Sequence, residues 1–293
     1  MTVSSSSILS ANDAVLVSEE AFASADPFDI TYSNFHVVHE LLYRHLEKHE
    51  ISQAALVSYY VDIYLGEFQN GGFSQFVFNT GWDRNTVDAV RHGLRTIGAH
   101  RHLSLFEEGA ASVAKLGSTG LTNYLNSEYF GENLERDFLD TIDDRISALL
   151  KQEDIESLSA AWLRSQPNLV ALPKAELQNE IYKRVAAIPD RFDRIKASVE
   201  IDQQSFDLIC TLCQHDGQSL HRIFADDRAF TYDGNTLRTL SPQEADIARS
   251  EIRPAWMVIT DKGVFIVMTN GRKAALFDLE TKNKTAEIDT TQH

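Results

Sequence analysis

At 293 residues, with 43% hydrophobic and 24% charged side chains, the chain can bury a sizeable core and has room for two domains. Its 27 Lys+Arg against 43 Asp+Glu give a net charge of −16, which argues against binding nucleic-acid phosphates or anionic membrane, and for basic partners or simple solubility. No apolar run approaches the roughly eighteen residues of a membrane span, and the N-terminus lacks the basic and then apolar regions of a signal peptide, so a cytoplasmic protein is expected.

Residues 1–28 open Ser-rich, end near Pro27, and read as a weakly ordered arm. From Asp29 a helix is expected to about Glu50, with Phe35, Val38, Leu42 and Leu46 as its apolar stripe. His45 and His49 stand at the i, i+4 spacing of a helical metal pair, but His36 and His39 project about 130° away, so the four do not converge. Residues 39–43 also miss the last ligand of the zinc-protease HExxH. Neither a metal nor another cofactor is expected.

Residues 59–79, YYVDIYLGEFQNGGFSQFVFN, look like the centre of the fold. Leu56, Tyr59, Tyr60 and Ile63 share one helical face, while Val57, Val61, Tyr64, Leu65 and Phe68 spread the apolar arc around most of the circumference. Neighbouring helices should therefore cover this one on two or three sides. Asn70, Gly71 and Gly72 tolerate positive φ and stop it, and Phe73, Phe76 and Phe78 lead back into the core. Glu67 projects onto the apolar face beside Tyr60 and Ile63. It is either an acid/base in a pocket or a polar brace held by Asn70, Gln75 and Asn79; the brace is preferred, because no second carboxylate, histidine or nucleophile sits at a partner spacing.

The pattern Glu67, Asn70, Gly71, Gly72, Phe73, Gln75, Phe76, Asn79, followed by Gly81, Ile97 and Gly98, resembles a bacterial family of small acidic helical proteins that long had no assigned function. That family includes a DNA mimic that binds a transcriptional repressor. The resemblance covers about residues 30–150 and leaves the C-terminal part outside. It implies a helical fold whose motif residues are structural, and a DNA-binding protein as partner.

Further along, Val87, Val90, Leu94 and Ile97 mark a helix closed by Gly98, and Leu103, Phe106, Ala110 and Val113 another closed near Gly117. A helix is expected over 133–151 with Leu134, Phe138, Ile142, Ile146 and Leu149 inward and Asp137, Asp140, Asp143 and Asp144 outward. Glu128, Glu132, Glu153 and Asp154 flank it. Carboxylates held about 4.5–6 Å apart along a rigid helix could stand in for backbone phosphates, so these eight residues form the candidate partner-binding surface. Helices over 155–163, 173–188 and 190–201 complete a helical domain of about eight helices, residues 29–201.

Cys210 and Cys213 lie on the inner face of a short helix with Phe206 and Ile209, and read as reduced core cysteines rather than a zinc or redox motif. Strands are expected over 220–224, 229–232, 236–240, 256–260, 264–269 and 274–279, with Asp233–Gly234, Lys262–Gly263 and Asn270–Gly271 as turns and a capping box at Ser241–Glu244. The fold class is thus α+β, with an antiparallel sheet in residues 202–293. The leading functional reading is a non-enzymatic acidic module that binds a basic protein, such as a DNA-binding regulator. An immunity or inhibitor protein against a basic nuclease stands as the alternative, and an enzyme using Glu67 has the least support. A homodimer formed through an exposed sheet edge remains open.

Overall fold

The computed structural model describes residues 13–226, 228–232, 235–247, 255–269 and 273–289. The fold is α+β and comprises two compact units, Met1–Ile181 and Tyr182–His293. This division precedes the expected boundary near Asp202, because a helix at Arg191–Ala197 buries Ile195 in the same core as the C-terminal sheet.

The first unit begins with β1 (Val15–Ser18), paired in parallel with β2 (Leu169–Leu172). Val15 and Val17 are fully buried, so part of the expected arm is built into the core. Ser18 caps α1 (Glu19–Ala23), and Asp26 with Pro27 starts α2 (Pro27–Tyr43). This helix ends well before the expected Glu50. His45 turns left-handed (φ 72), His45 N–H donates to Leu42 O and Leu46 N–H to Leu41 O, and Leu46 folds back into the core. His49 falls in a separate 3-10 turn, Lys48–Glu50, so His45 and His49 share no helix.

The central helix α3 (Gln53–Thr80) has two limbs, broken at Gly71 (φ −165, ψ 24) and Gly72 (φ 82, ψ −173). Against it pack α2, α4 (Arg84–Thr96) and α8 (Ile155–Arg164). The approach of α4 is so close that a Cβ on Gly93 would sit 2.8 Å from Val61 Cγ2. The second limb carries Phe73 and Phe76 into a cluster with Tyr64, Trp82 and Phe106, ring centroids 5.3–6.3 Å apart and mostly edge-on. Phe106 comes from α5 (His100–Leu125), which bends at Gly117 (φ 68).

The single helix expected over 133–151 is instead α6 (Leu134–Leu139), a 3-10 turn (Asp140–Ile142) and α7 (Asp143–Leu150). The break shifts the helical phase. Leu139 is fully buried, whereas Leu134 and Phe138, expected inward, are 83% and 37% exposed; Ile142, Ile146 and Leu149 do face the core.

The second unit takes over within α9 (Lys174–Ala186) and continues through α10 (Arg191–Ala197) and α11 (Gln203–His215). Its antiparallel sheet has the order β3 (Leu220–Asp226), β6 (Ala255–Thr260), β7 (Val264–Thr269), β8 (Lys273–Asp278) and β9 (Lys284–Asp289). The hairpin of β4 (Phe230–Tyr232) and β5 (Leu237–Thr239) forms a two-stranded ladder of its own, which packs Phe230 and Leu237 against the sheet, and α12 (Pro242–Ile247) follows with its Ser241–Glu244 capping box. Along β7 the side chains alternate. Phe265 and Val267 join Ile195, Ile209 and Leu212 on one face, and Ile266 and Met268 join Phe230 and Leu237 on the other. Both faces are covered, which explains the continuous apolar runs of β7 and β8. Cys213 lies in the first of these cores, and burial pushes its thiol up to about 12 and that of Cys210 to about 11, so both stay protonated. The turn signals Asp233–Gly234 and Asn270–Gly271 lie outside the described residues.

Candidate functional site

A break inside a buried helix exposes backbone groups that need partners, and several of them find one in a side chain here. Phe73 N–H donates to Asp143 Oδ1 (3.0 Å) and Ser74 N–H to Asp140 Oδ1 (3.1 Å), so the second limb of α3 is capped by two carboxylates that arrive from the α6–α7 segment. Tyr129 O–H donates to Gly71 O (2.9 Å) and Tyr124 O–H to Ser74 O (3.0 Å). Gly72 sits against this cap with its Hα toward Asp143, and a Cβ in that place would overlap Asp143 Oδ2. Burial pushes the Asp143 carboxyl up to about 6; the Phe73 N–H opposes the shift and the charges of Asp140 and Asp144 add to it.

Glu67 Oε2 accepts from Gln75 Nε2 (2.9 Å) and Asn79 Nδ2 (2.7 Å), which ties the first limb to the second. Asn70 remains exposed and is not one of Glu67's partners. Both of these hydrogen bonds come from amides, which hold the carboxylate in place. Among the described residues, no group of three or more His, Cys, Asp or Glu is placed to hold a metal ion.

The eight acidic candidates separate into two sets. Asp140 and Asp143 turn inward as caps, Glu153 accepts from His102 N–H (2.9 Å), and Asp154 caps α8 through Ser157 N–H (3.2 Å) and its hydroxyl (2.6 Å). Asp154 stays exposed in that role; the second set, Glu128, Glu132, Asp137 and Asp144, is exposed as well. Of these Asp137 pairs with Arg136 (2.8 Å), and the other three have no cationic partner among the described residues. The expected row of outward carboxylates is therefore interrupted at Asp140 and Asp143.

In the same stretch of chain, Leu134 and Phe138, expected inward, are exposed, and so is Phe130, at 84%. Their i, i+4, i+8 spacing was the available signal, but the same spacing describes a core-facing stripe. Only the phase break at Asp140 shows that this one faces out.

No curated protein and no solved structure matches the chain. Residues 49–166, the stretch that holds α3 to α8, the capped glycine break and the acidic surface, match the family described as DMP19-like protein.

Proposed function

We propose that the first unit is a protein-binding module of the cytoplasm, a DNA mimic whose acidic surface occupies the basic face of a DNA-binding protein. The observation that carries this reading is the DMP19-like match over residues 49–166, which includes the most acidic stretch of the chain. Residues 126–156 hold ten Asp+Glu against three Lys+Arg. The charge is also unevenly divided between the units. Residues 1–181 hold 12 Lys+Arg against 26 Asp+Glu, net −14, whereas residues 182–293 hold 15 against 17, net −2. Asp137 and Asp144 are carried on helices, and carboxylates fixed in this way need little ordering when a partner arrives, which favours association.

The test is capture of binding proteins from the native host on the immobilised chain at low salt, followed by elution with duplex DNA. A mimic competes with DNA for one face of its partner, so DNA should release that partner, as should salt once the Debye length falls below about 10 Å. A partner that stays bound through saturating DNA and high salt would exclude mimicry. The identity of the eluted protein separates a regulator from a nuclease.

A further inference from the structure

We infer that the acidic surface is built around an apolar anchor, Phe130, Leu134 and Phe138, which docks a basic amphipathic helix of the partner; this rests on the protein-binding reading above. Leu134 and Phe138 stand four residues apart on one face of α6, and Phe130 precedes them in the link from α5. The patch has a firm base. Phe130 meets Tyr129 edge-on at 5.4 Å, and Tyr129 is fixed by its bond to Gly71 O, by Phe78 at 5.2 Å and by Arg136 Nη1 donating to its carbonyl. Large apolar side chains left in water on a rigid element mark an interaction site when they fall together.

Charge selects the occupant. Glu128, Glu132, Glu135 and Asp144 lie in the same stretch and have no cationic partner among the described residues. A second copy of this chain would bring the same charges and be repelled, and so would an anionic lipid surface. An apolar surface flanked by Lys and Arg is attracted instead, and apolar contact excludes water from the ion pairs around it, which strengthens them. Leu134 and Phe138 are separated by about 6 Å along the axis, one helical turn, which matches the i, i+4 ridge of a helix laid against them. Carboxylates alone would attract any basic surface; the apolar anchor adds a component of affinity that salt does not screen.

The full chain is titrated with two synthetic helical peptides of equal charge, one lysine-rich with leucines at i, i+4 and i+7, the other with those leucines replaced by serine. The leucine peptide is expected to bind at least about tenfold more tightly, and the preference should persist as salt is raised. Phe130→Ser combined with Leu134→Ser should abolish the preference and leave the affinity for the serine peptide unchanged; both residues are exposed, and circular dichroism verifies the fold. Equal binding of the two peptides by the wild type, or an undiminished preference in the double variant, overturns the anchor and leaves the charge reading standing. Absence of salt-dependent binding of either peptide overturns both. A wild-type dimer that the double variant converts to monomer would make a second copy the occupant and likewise overturn the inference.

Discussion

At the scale of single residues, Gly72 is the position where a side chain is least tolerable. Its φ of 82° is left-handed, and the space a Cβ would need is filled by the Asp143 carboxylate that caps Phe73. Gly72→Ala should therefore destabilise the chain by about 2–4 kcal/mol, through backbone strain and a displaced cap together. Gly66, six residues earlier in the same helix, has nothing within 4 Å of its added Cβ. Gly66→Ala should stabilise by about 0.5–1 kcal/mol. Urea denaturation of the two variants measures the contrast, and similar values for both would show that the break is not held as described. Asp62 offers a second test. Burial, with Glu156 adding to it and the Ser58 hydroxyl opposing, pushes its carboxyl from 3.8 up to about 8. Below about pH 4 the group is protonated in both states and has no effect on stability. As the pH rises toward 8, the unfolded chain gains an ionisation that the fold resists, so stability declines across this window and levels off above it. Asp62→Asn removes that decline, so its advantage over wild type should grow from pH 4 to pH 8. Part of the Asp62 side chain reaches the surface, so screening should hold the advantage to about 1–3 kcal/mol. An advantage that shrinks with rising pH would rule out this account.

At the scale of elements, the α6–α7 segment has two jobs that one helical projection cannot separate. Its inward aspartates hold the break in α3, and its outward acids and apolar residues face solvent. Asp143→Ala should cost about 1–2 kcal/mol as a lost cap. Asp143→Asn keeps an oxygen acceptor for Phe73 N–H and removes a carboxylate whose ionisation burial disfavours, so above pH 6 it should be neutral or stabilising. Thermal melts of the two variants at pH 7 decide this, and an Asn variant as unstable as the Ala variant would show that the cap needs its charge. Binding experiments should then neutralise Asp137 and Asp144 and leave Asp140 alone, because losing the Ser74 cap would confound affinity with folding. Much of this was legible in the sequence. The all-round apolar character of residues 56–68, the stop at Asn70–Gly72 and the return through Phe73 follow from local periodicity and glycine chemistry. The resumption of helix at Phe73 was not legible, because it depends on carboxylates some seventy residues away that supply what the local chain lacks. For the same reason Asp140 and Asp143 read as solvent-facing. The strand β9 was missed because its sequence, KTAEID, is polar on alternate positions and ends the sheet at an edge, where only Ala286 and Ile288 reach the core.

At the scale of the whole molecule, the uneven division of charge and the early boundary lead to one experiment. The unit that ends at Ile181 has net charge −14 and contains the capped break, the acidic surface and the exposed apolar patch. Residues 13–181 should fold without the sheet, since β1 and β2 pair within the fragment and Val15 and Val17 each stabilise it by about 1.5–3 kcal/mol through burial. A fragment cut at the boundaries suggested by helical periodicity, residues 29–200, should be less stable on two counts. It lacks β1, so Leu169–Leu172 loses its partner strand, and it keeps Arg191–Ala197, whose Ile195 belongs to the core of the sheet. Circular dichroism and urea denaturation compare the two fragments directly. If 29–200 unfolds as cooperatively and at the same urea concentration as 13–181, the N-terminal strand contributes nothing and the unit ends where periodicity placed it. If both fold, the salt-dependent binding of a basic partner should travel with 13–181 undiminished, because almost all the charge that would attract that partner lies before residue 182. Loss of binding on removal of residues 182–293, with the fragment still folded, would move the functional surface out of the acidic unit and leave its charge to solubility alone.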